Sequence, residues 1–168
     1  MKYGTTRDYV LGVQVALADG SLIELGGKNV KDASGYHLLG LIVGSEGTLG
    51  VVTRVLLRLV PLPTRRVVLL LPFPDLEGAA RAVTRVLQER IIPSVAEFMD
   101  DVTVAATRRY LGRGLPGGDV AGACVLFELD GEDRAALEAA MLRAGELGRQ
   151  EGALEVLAAE DPGQQARL

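Results

Sequence analysis

Pro61 and Pro63 flank a single leucine and divide the 168-residue chain into two stretches of different character. Proline has no amide proton to give a strand ladder, so a strand that reaches Pro61 must end there. Ahead of the break, short alternating apolar segments are separated by glycine-rich runs. Beyond it, Val67 to Leu71 is a continuous apolar run, which suits a strand buried on both faces, and helical periodicity follows. The sequence therefore reads as parts of two domains, 1–63 and 64–168.

In the first stretch, Val13, Val15 and Leu17 alternate with Gln14, Ala16 and Ala18. Asp19-Gly20 reads as a two-residue turn, and Ser21 to Leu25 returns as the second arm of a hairpin. Residues 26 to 35 hold three glycines, two lysines and an asparagine and read as an irregular loop. Tyr36 to Val43 reads as a short helix with Gly44 at its C-terminal cap. Gly44-Ser45-Glu46-Gly47-Thr48-Leu49-Gly50 then places three glycines at three-residue spacing and feeds an extended run from Val51 to Val60.

In the second stretch, Asp75 can cap a helix in which Leu76, Ala79, Ala80, Val83, Val86 and Leu87 recur at helical spacing. Pro93 precedes a strand from Ser94 to Met99, and Asp100 or Asp101 can cap a helix to about Tyr110. Residues 112 to 118, with four glycines and a proline, read as a loop. Ala121 to Leu129 is a strand, Asp130-Gly131 a turn, 133–150 a helix, and Leu154 to Ala158 a last short strand. The order β-α-β-(α)-β-α-β approaches the ferredoxin-like split βαβ arrangement, so the fold class is α+β.

Composition removes several functions. A net charge of −4 and a pI near 5.1 speak against a nucleic-acid partner. The single cysteine, Cys124, excludes an internal disulfide and a multi-cysteine metal site, and in Ala123-Cys124-Val125-Leu126-Phe127 it reads as a buried, inert thiol. No apolar run approaches the roughly 20 residues of a bilayer span. Residues 2 to 9 are polar and charged, unlike a signal peptide, which makes a cytoplasmic location the expectation.

Several blocks occur in a telling order: Lys2-Tyr3-Gly4-Thr5-Thr6-Arg7-Asp8-Tyr9-Val10-Leu11-Gly12, Leu17-Ala18-Asp19-Gly20, Gly26-Gly27-Lys28-Asn29-Val30-Lys31, Ser34-Gly35-Tyr36 and Gly44 to Gly50. Together they resemble the FAD-linked oxidases of the vanillyl-alcohol oxidase and p-cresol methylhydroxylase type. Within that type the likeness is to glycolate oxidase flavoprotein subunits and to D-lactate and D-2-hydroxyglutarate dehydrogenases. It is dense over residues 1 to 63 and thinner beyond, where Glu97-Phe98-Met99-Asp100 carries it best.

The resemblance implies the later part of an FAD-binding domain over 1–63 and the opening part of a ferredoxin-like cap over 64–168. It implies FAD as cofactor and a small 2-hydroxy acid as substrate of the intact enzyme. Glu46, Gly47, Thr48, Leu49, Gly50, Val51 and Val52 are then expected against FAD. Glycines there allow backbone N–H groups to approach phosphate and ribose, and Glu46 could accept from a ribose hydroxyl or brace the loop. Gly4 is expected either beside the flavin or in a frayed terminus.

No catalytic or metal-ligating residue is assigned. Lys28, Lys31 and His37 form a weakly basic cluster that reads mainly as solvated, and His37 stands where similar proteins often carry aspartate. Glu97, Asp100 and Asp101 form an acidic cluster, of which helix capping accounts for the aspartates. The family's pyrophosphate loop, substrate arginines and His-rich metal site have no counterpart in these residues. The expectation is an internal piece of an enzyme of about 450 residues, more than one domain's usual size. Alone it would be inactive, and it would associate with itself or with the missing parts. The alternative is a non-catalytic α+β interaction module.

Overall fold

The computed structural model describes residues 2–29, 35–112, 114, 117–161 and 163. The chain forms two compact units, one of Gly4–Pro61 and one of Met1–Tyr3 with Leu62–Leu168.

The Gly4–Pro61 unit is a three-stranded antiparallel sheet, order β2-β1-β3, built from β1 (Val10–Ala16), β2 (Leu22–Gly26) and β3 (Val51–Leu57). A five-residue helix, α1 (Leu38–Ile42), covers one side. Val13, Val15 and Ile42 form the small core, with Val10, Leu17, Ile23, Leu25 and Leu39 against it. The hairpin turn differs from expectation. Gly20 N–H bonds Leu17 O and Leu17 N–H bonds Ser21 O, so the loop is Ala18-Asp19-Gly20. Gly20 is left-handed (φ 83°), which fits a three-residue connection rather than a two-residue turn at Asp19-Gly20. The helix begins at Leu38 rather than Tyr36, whose ring is 93% exposed. β3 ends at Leu57, three residues short of Val60, and exposes Val51, Val52, Val55 and Leu57.

The larger unit is a four-stranded antiparallel sheet of β4 (Arg65–Phe73), β5 (Val95–Met99), β6 (Ala123–Gly131) and β7 (Leu157–Ala159). The order β5-β6-β4-β7 is that of a ferredoxin-like sheet, in which each βαβ crossover skips one strand position. α2 (Leu76–Gln88) and α4 (Arg134–Gln150) cover the face that carries Val67, Leu69, Leu71, Phe73, Val125, Phe127 and Leu129. The opposite face carries Leu70 and Cys124 beneath Val104 of α3 (Asp101–Leu111). Aspartates start all three long helices. Asp75 accepts from Gly78 N–H at 2.8 Å, Asp100 from Thr103 N–H at 2.8 Å, and Asp133 from Ala135 and Ala136 N–H at 2.9 and 3.2 Å.

Two boundaries depart from the sequence reading. Asp130 and Gly131 do not turn the chain: they extend β6 opposite Arg66 and Arg65. The last strand is Leu157–Ala159, not 154–158; Leu154 instead gives its N–H to Pro72 O at 2.8 Å.

Candidate functional site

The Gly44–Gly50 connection follows α1, and its conformation comes from tight turns. Ser45 N–H bonds Ile42 O, and Thr48 N–H and its hydroxyl both bond Ser45 O, at 3.0 and 2.6 Å. The two residues in the middle of that last turn, Glu46 (φ 52°) and Gly47 (φ 78°), are both left-handed, as in a type I′ turn. Glutamate is a costly choice for such a place, since the left-handed region crowds its Cβ by about 1 kcal/mol or more. Glu46 is exposed, and no described residue pairs with its carboxylate or accepts its N–H.

The glycines of this segment answer to different demands. At Gly50 (φ 154°) a Cβ would lie 2.7 Å from Val15 Cγ1 and 2.8 Å from Ala16 O, so the close approach of β1 itself requires glycine. At Gly47 no atom lies within 4 Å of where a Cβ would point. Only Gly47 therefore leaves backbone open toward an outside group. Val51 and Val52 follow as exposed residues at the start of β3, paired with Ala16 and Val15 of β1, and Thr48 and Leu49 are exposed. A nucleotide needs unhindered N–H groups and an acceptor for ribose, and the Glu46–Gly47 tip presents both. These residues fit part of an FAD contact.

The N-terminal segment of this unit is pinned beside the same connection. Arg7 donates to Val43 O at 2.9 Å, one residue before Gly44, and Arg58 donates to Asp8 O at 2.9 Å while lying over the Tyr9 ring. Thr5 N–H and hydroxyl both reach the Asp8 carboxylate, at 2.6 and 3.0 Å, and hold Asp8 below the usual carboxylate range. At Gly4 (φ 72°) a Cβ would strike Asp8 Oδ2 at 2.5 Å, so the turn that brings Thr5 onto Asp8 calls for glycine there. The structure thus ties the chain just after Gly4 to the start of the glycine loop.

The remaining candidates have simpler roles. His37 precedes α1, and Gly40 makes room for its ring. It lines a cleft of about 460 Å³ with Gly26, Gly27, Asn29 and Gly35, which the Glu46–Val52 segment does not enter. Lys31 lies outside the described residues. Asp100 and Asp101 hold helix-start N–H groups, and Thr103 keeps the Asp100 carboxyl low. Cys124 is buried, and burial pushes its thiol up, away from reactivity. Among the described residues no three metal-ligating side chains come together. Asp130, a polar anchor in the structure, carries no such signal in its local sequence, because Asp-Gly reads as a turn.

Residues 62–168 match the family of FAD linked oxidases, C-terminal domain. The D-lactate dehydrogenase of Anaerostipes hadrus is 36% identical over 167 residues, 96% of this chain and 35% of that protein. Glycolate oxidase subunit GlcD of Bacillus subtilis is 45% identical over 131 residues, 78% of this chain and 27% of the relative. GlcD of Escherichia coli K12 is 35% identical over 168 residues, 100% of this chain and 33% of the relative. The chain therefore spans 27–35% of the length of these curated relatives. Among solved structures, alkyldihydroxyacetonephosphate synthase superposes with a TM-score of 0.67 at 18% identity, over 99% of this chain and 33% of that one. Substrate-bound p-cresol methylhydroxylase gives 0.61 at 14% identity, over 98% and 36%. At such identities the likeness to these structures is one of fold.

Proposed function

We propose that this chain, which belongs to the FAD-linked oxidases, supplies part of a flavin-binding domain from its Gly4–Pro61 unit and part of the cap from its larger unit. The enzyme would oxidise a small 2-hydroxy acid of the glycolate or D-lactate type to the 2-oxo acid. The names of the relatives, glycolate oxidase subunit and D-lactate dehydrogenase, support that substrate class. FAD, when bound, supplies the hydride acceptor. The residues of this chain bind and orient: Glu46 accepts from a ribose hydroxyl, Gly47 lets backbone N–H groups approach, and the Thr48–Val52 run continues that wall.

The observation that carries the reading is Glu46 at a left-handed turn position with no described partner. A residue that strains its turn and braces nothing there suits a ligand contact. Glu46→Gly is expected to stabilise the fold by up to about 1 kcal/mol in urea titration by removing that cost. It should also weaken FAD binding about tenfold in a flavin-fluorescence titration, the loss of one hydrogen bond to a charged group. Unchanged affinity would leave Glu46 as a turn residue only. Gly47→Val, which closes the open side, should remove measurable binding.

Val55 and Leu57 on the edge strand β3, with Leu59 and Val60 after it, are exposed apolar side chains outside the proposed flavin wall. Such a surface favours pairing with further protein. The chain alone is expected to sediment as a dimer or larger species at micromolar concentration, and a clean monomer would contradict this.

A further inference from the structure

The sheet of the larger unit ends at β5, whose outer edge no described strand covers. β5 pairs with β6 from Val95 opposite Glu128 to Met99 opposite Cys124. Every second residue of an edge strand turns its N–H and C=O away from its partner. The open edge is five residues long, about 17 Å. Edges are commonly guarded by proline or lysine, and β5 contains neither.

Backbone already pairs on this side just ahead of the strand. Ser94 N–H bonds Glu128 O of β6 at 2.8 Å, so the carbonyl of the same planar peptide, Pro93 O, points the other way. Lys2 N–H takes that carbonyl at 3.2 Å. Lys2 and Tyr3 are held there by Asp130, which receives Lys2 Nζ at 2.5 Å and Tyr3 OH at 2.7 Å.

Beside the open edge runs a groove of about 640 Å³ between α2 and β5. Leu76, Ala80 and Val83 of α2 line it with Ala96 and Phe98 of β5. Ala96 packs against the core beneath α2 and α4, and strand alternation puts Phe98 on the same face. Leu76 and Phe98 remain 51% and 41% exposed. A strand laid on β5 would send alternate side chains into this groove. Its intervening side chains would share the other face with Glu97, which is exposed and has no partner among the described residues. The second carboxylate of the groove, Glu77, is taken by Arg81 at 2.7 Å. A basic side chain opposite Glu97 is favoured and an acidic one disfavoured. A second copy is a poor occupant, since two-fold pairing over the whole of β5 sets Glu97 against Glu97.

We propose that the β5 edge and the α2 groove together form a strand-addition site for an extended segment of another protein, apolar at every second residue and basic where it meets Glu97. Main-chain hydrogen bonds to β5 hold the segment, and the groove selects its apolar side chains. The site lies wholly within the larger unit and does not depend on the flavin reading.

The probe is the peptide acetyl-Val-Thr-Val-Lys-Val-Thr-Val-amide, titrated to millimolar concentration into the ¹⁵N-labelled 168-residue chain. Amide shifts are expected at Val95–Met99 and at Leu76, Ala80 and Val83. Glutamate in place of the peptide's lysine should weaken binding about tenfold, the swing from an opposite-charge to a like-charge cross-strand pair. N-methylation of the two valines that flank this lysine removes donors to β5 and should abolish binding. Ala80→Glu, at an exposed helix position, should abolish it too while leaving the far-UV spectrum unchanged. No shift at these residues overturns the site. Equal binding of the methylated peptide overturns strand addition, and equal binding of the glutamate peptide overturns the pairing with Glu97. Shifts at Val95–Met99 that grow with chain concentration in the absence of peptide would mean that a second copy fills the edge, and would overturn the proposed occupant.

Discussion

Phe127→Ala is expected to remove most of the stability of the larger unit. Phe127 is fully buried at the centre of β6, paired with Leu69 on one side and Ala96 on the other, in the cluster beneath α2 and α4. Truncating a buried phenylalanine forfeits its transfer free energy and leaves a cavity, about 3–5 kcal/mol together. Folded domains hold only about 5–15 kcal/mol, so the urea midpoint should fall sharply or the chain should fail to fold. The cluster's other aromatic, Phe73, is itself fully buried, and its remaining buried side chains are valine, leucine and alanine, which are too short to refill the space. Val51→Ala, at a side chain 66% exposed, should change stability by less than about 0.5 kcal/mol. A similar small effect for Phe127→Ala would mean that the core is misplaced.

The second large effect is on turnover. Hydride transfer needs the hydroxy acid held at near-attack distance, a cation for its carboxylate and a base for its hydroxyl. The proposed flavin contacts lie in one turn and the strand after it. His37, the only histidine, lines a cleft that the segment does not enter. Arg7 and Arg58 are engaged with backbone carbonyls, and Arg81, Arg85 and Arg143 with glutamates. Parts of a site that act as a unit do not contribute singly. The 168-residue chain, assayed by itself with excess FAD, is expected to give no dye reduction with glycolate, D-lactate or D-2-hydroxyglutarate. Flavin-dependent turnover above a protein-free control would show that the chain carries catalytic residues of its own.

Much of the larger unit was legible because its signals are local. Asp75 and Asp100 announce helices through their own side chains, and the unbroken Val67–Leu71 run marks an inner strand. Where a distant partner decides, local reading fails. Asp130-Gly131 has turn chemistry, yet Arg65 and Arg66 pair with it and extend β6. Asp19-Gly20 marked the hairpin, but the ladder closes at Leu17 and Ser21 and adds a third loop residue. The glycine loop was visible as a motif, but the distinct demands at Gly47 and Gly50 were not. Gly50 is required by Val15 and Ala16, some way back in the chain, whereas Gly47 sits at a left-handed turn position with open space beside it. The Asp130 contact joins residues 127 and 128 positions apart, beyond any sequence window.

If the exposed Glu46–Gly47 turn and the strand after it face FAD, their amides must sense the cofactor. The most direct measurement is an amide NMR titration of the ¹⁵N-labelled chain with FAD to millimolar concentration. Shifts should concentrate at Glu46 to Val52, with a weaker set at Gly4, and should vanish in Gly47→Val while the rest of the spectrum is kept. Shifts centred elsewhere, such as the His37 cleft or the apolar groove of Leu76, Ala80, Val83 and Phe98, or none at saturating FAD, would contradict a flavin contact at this turn.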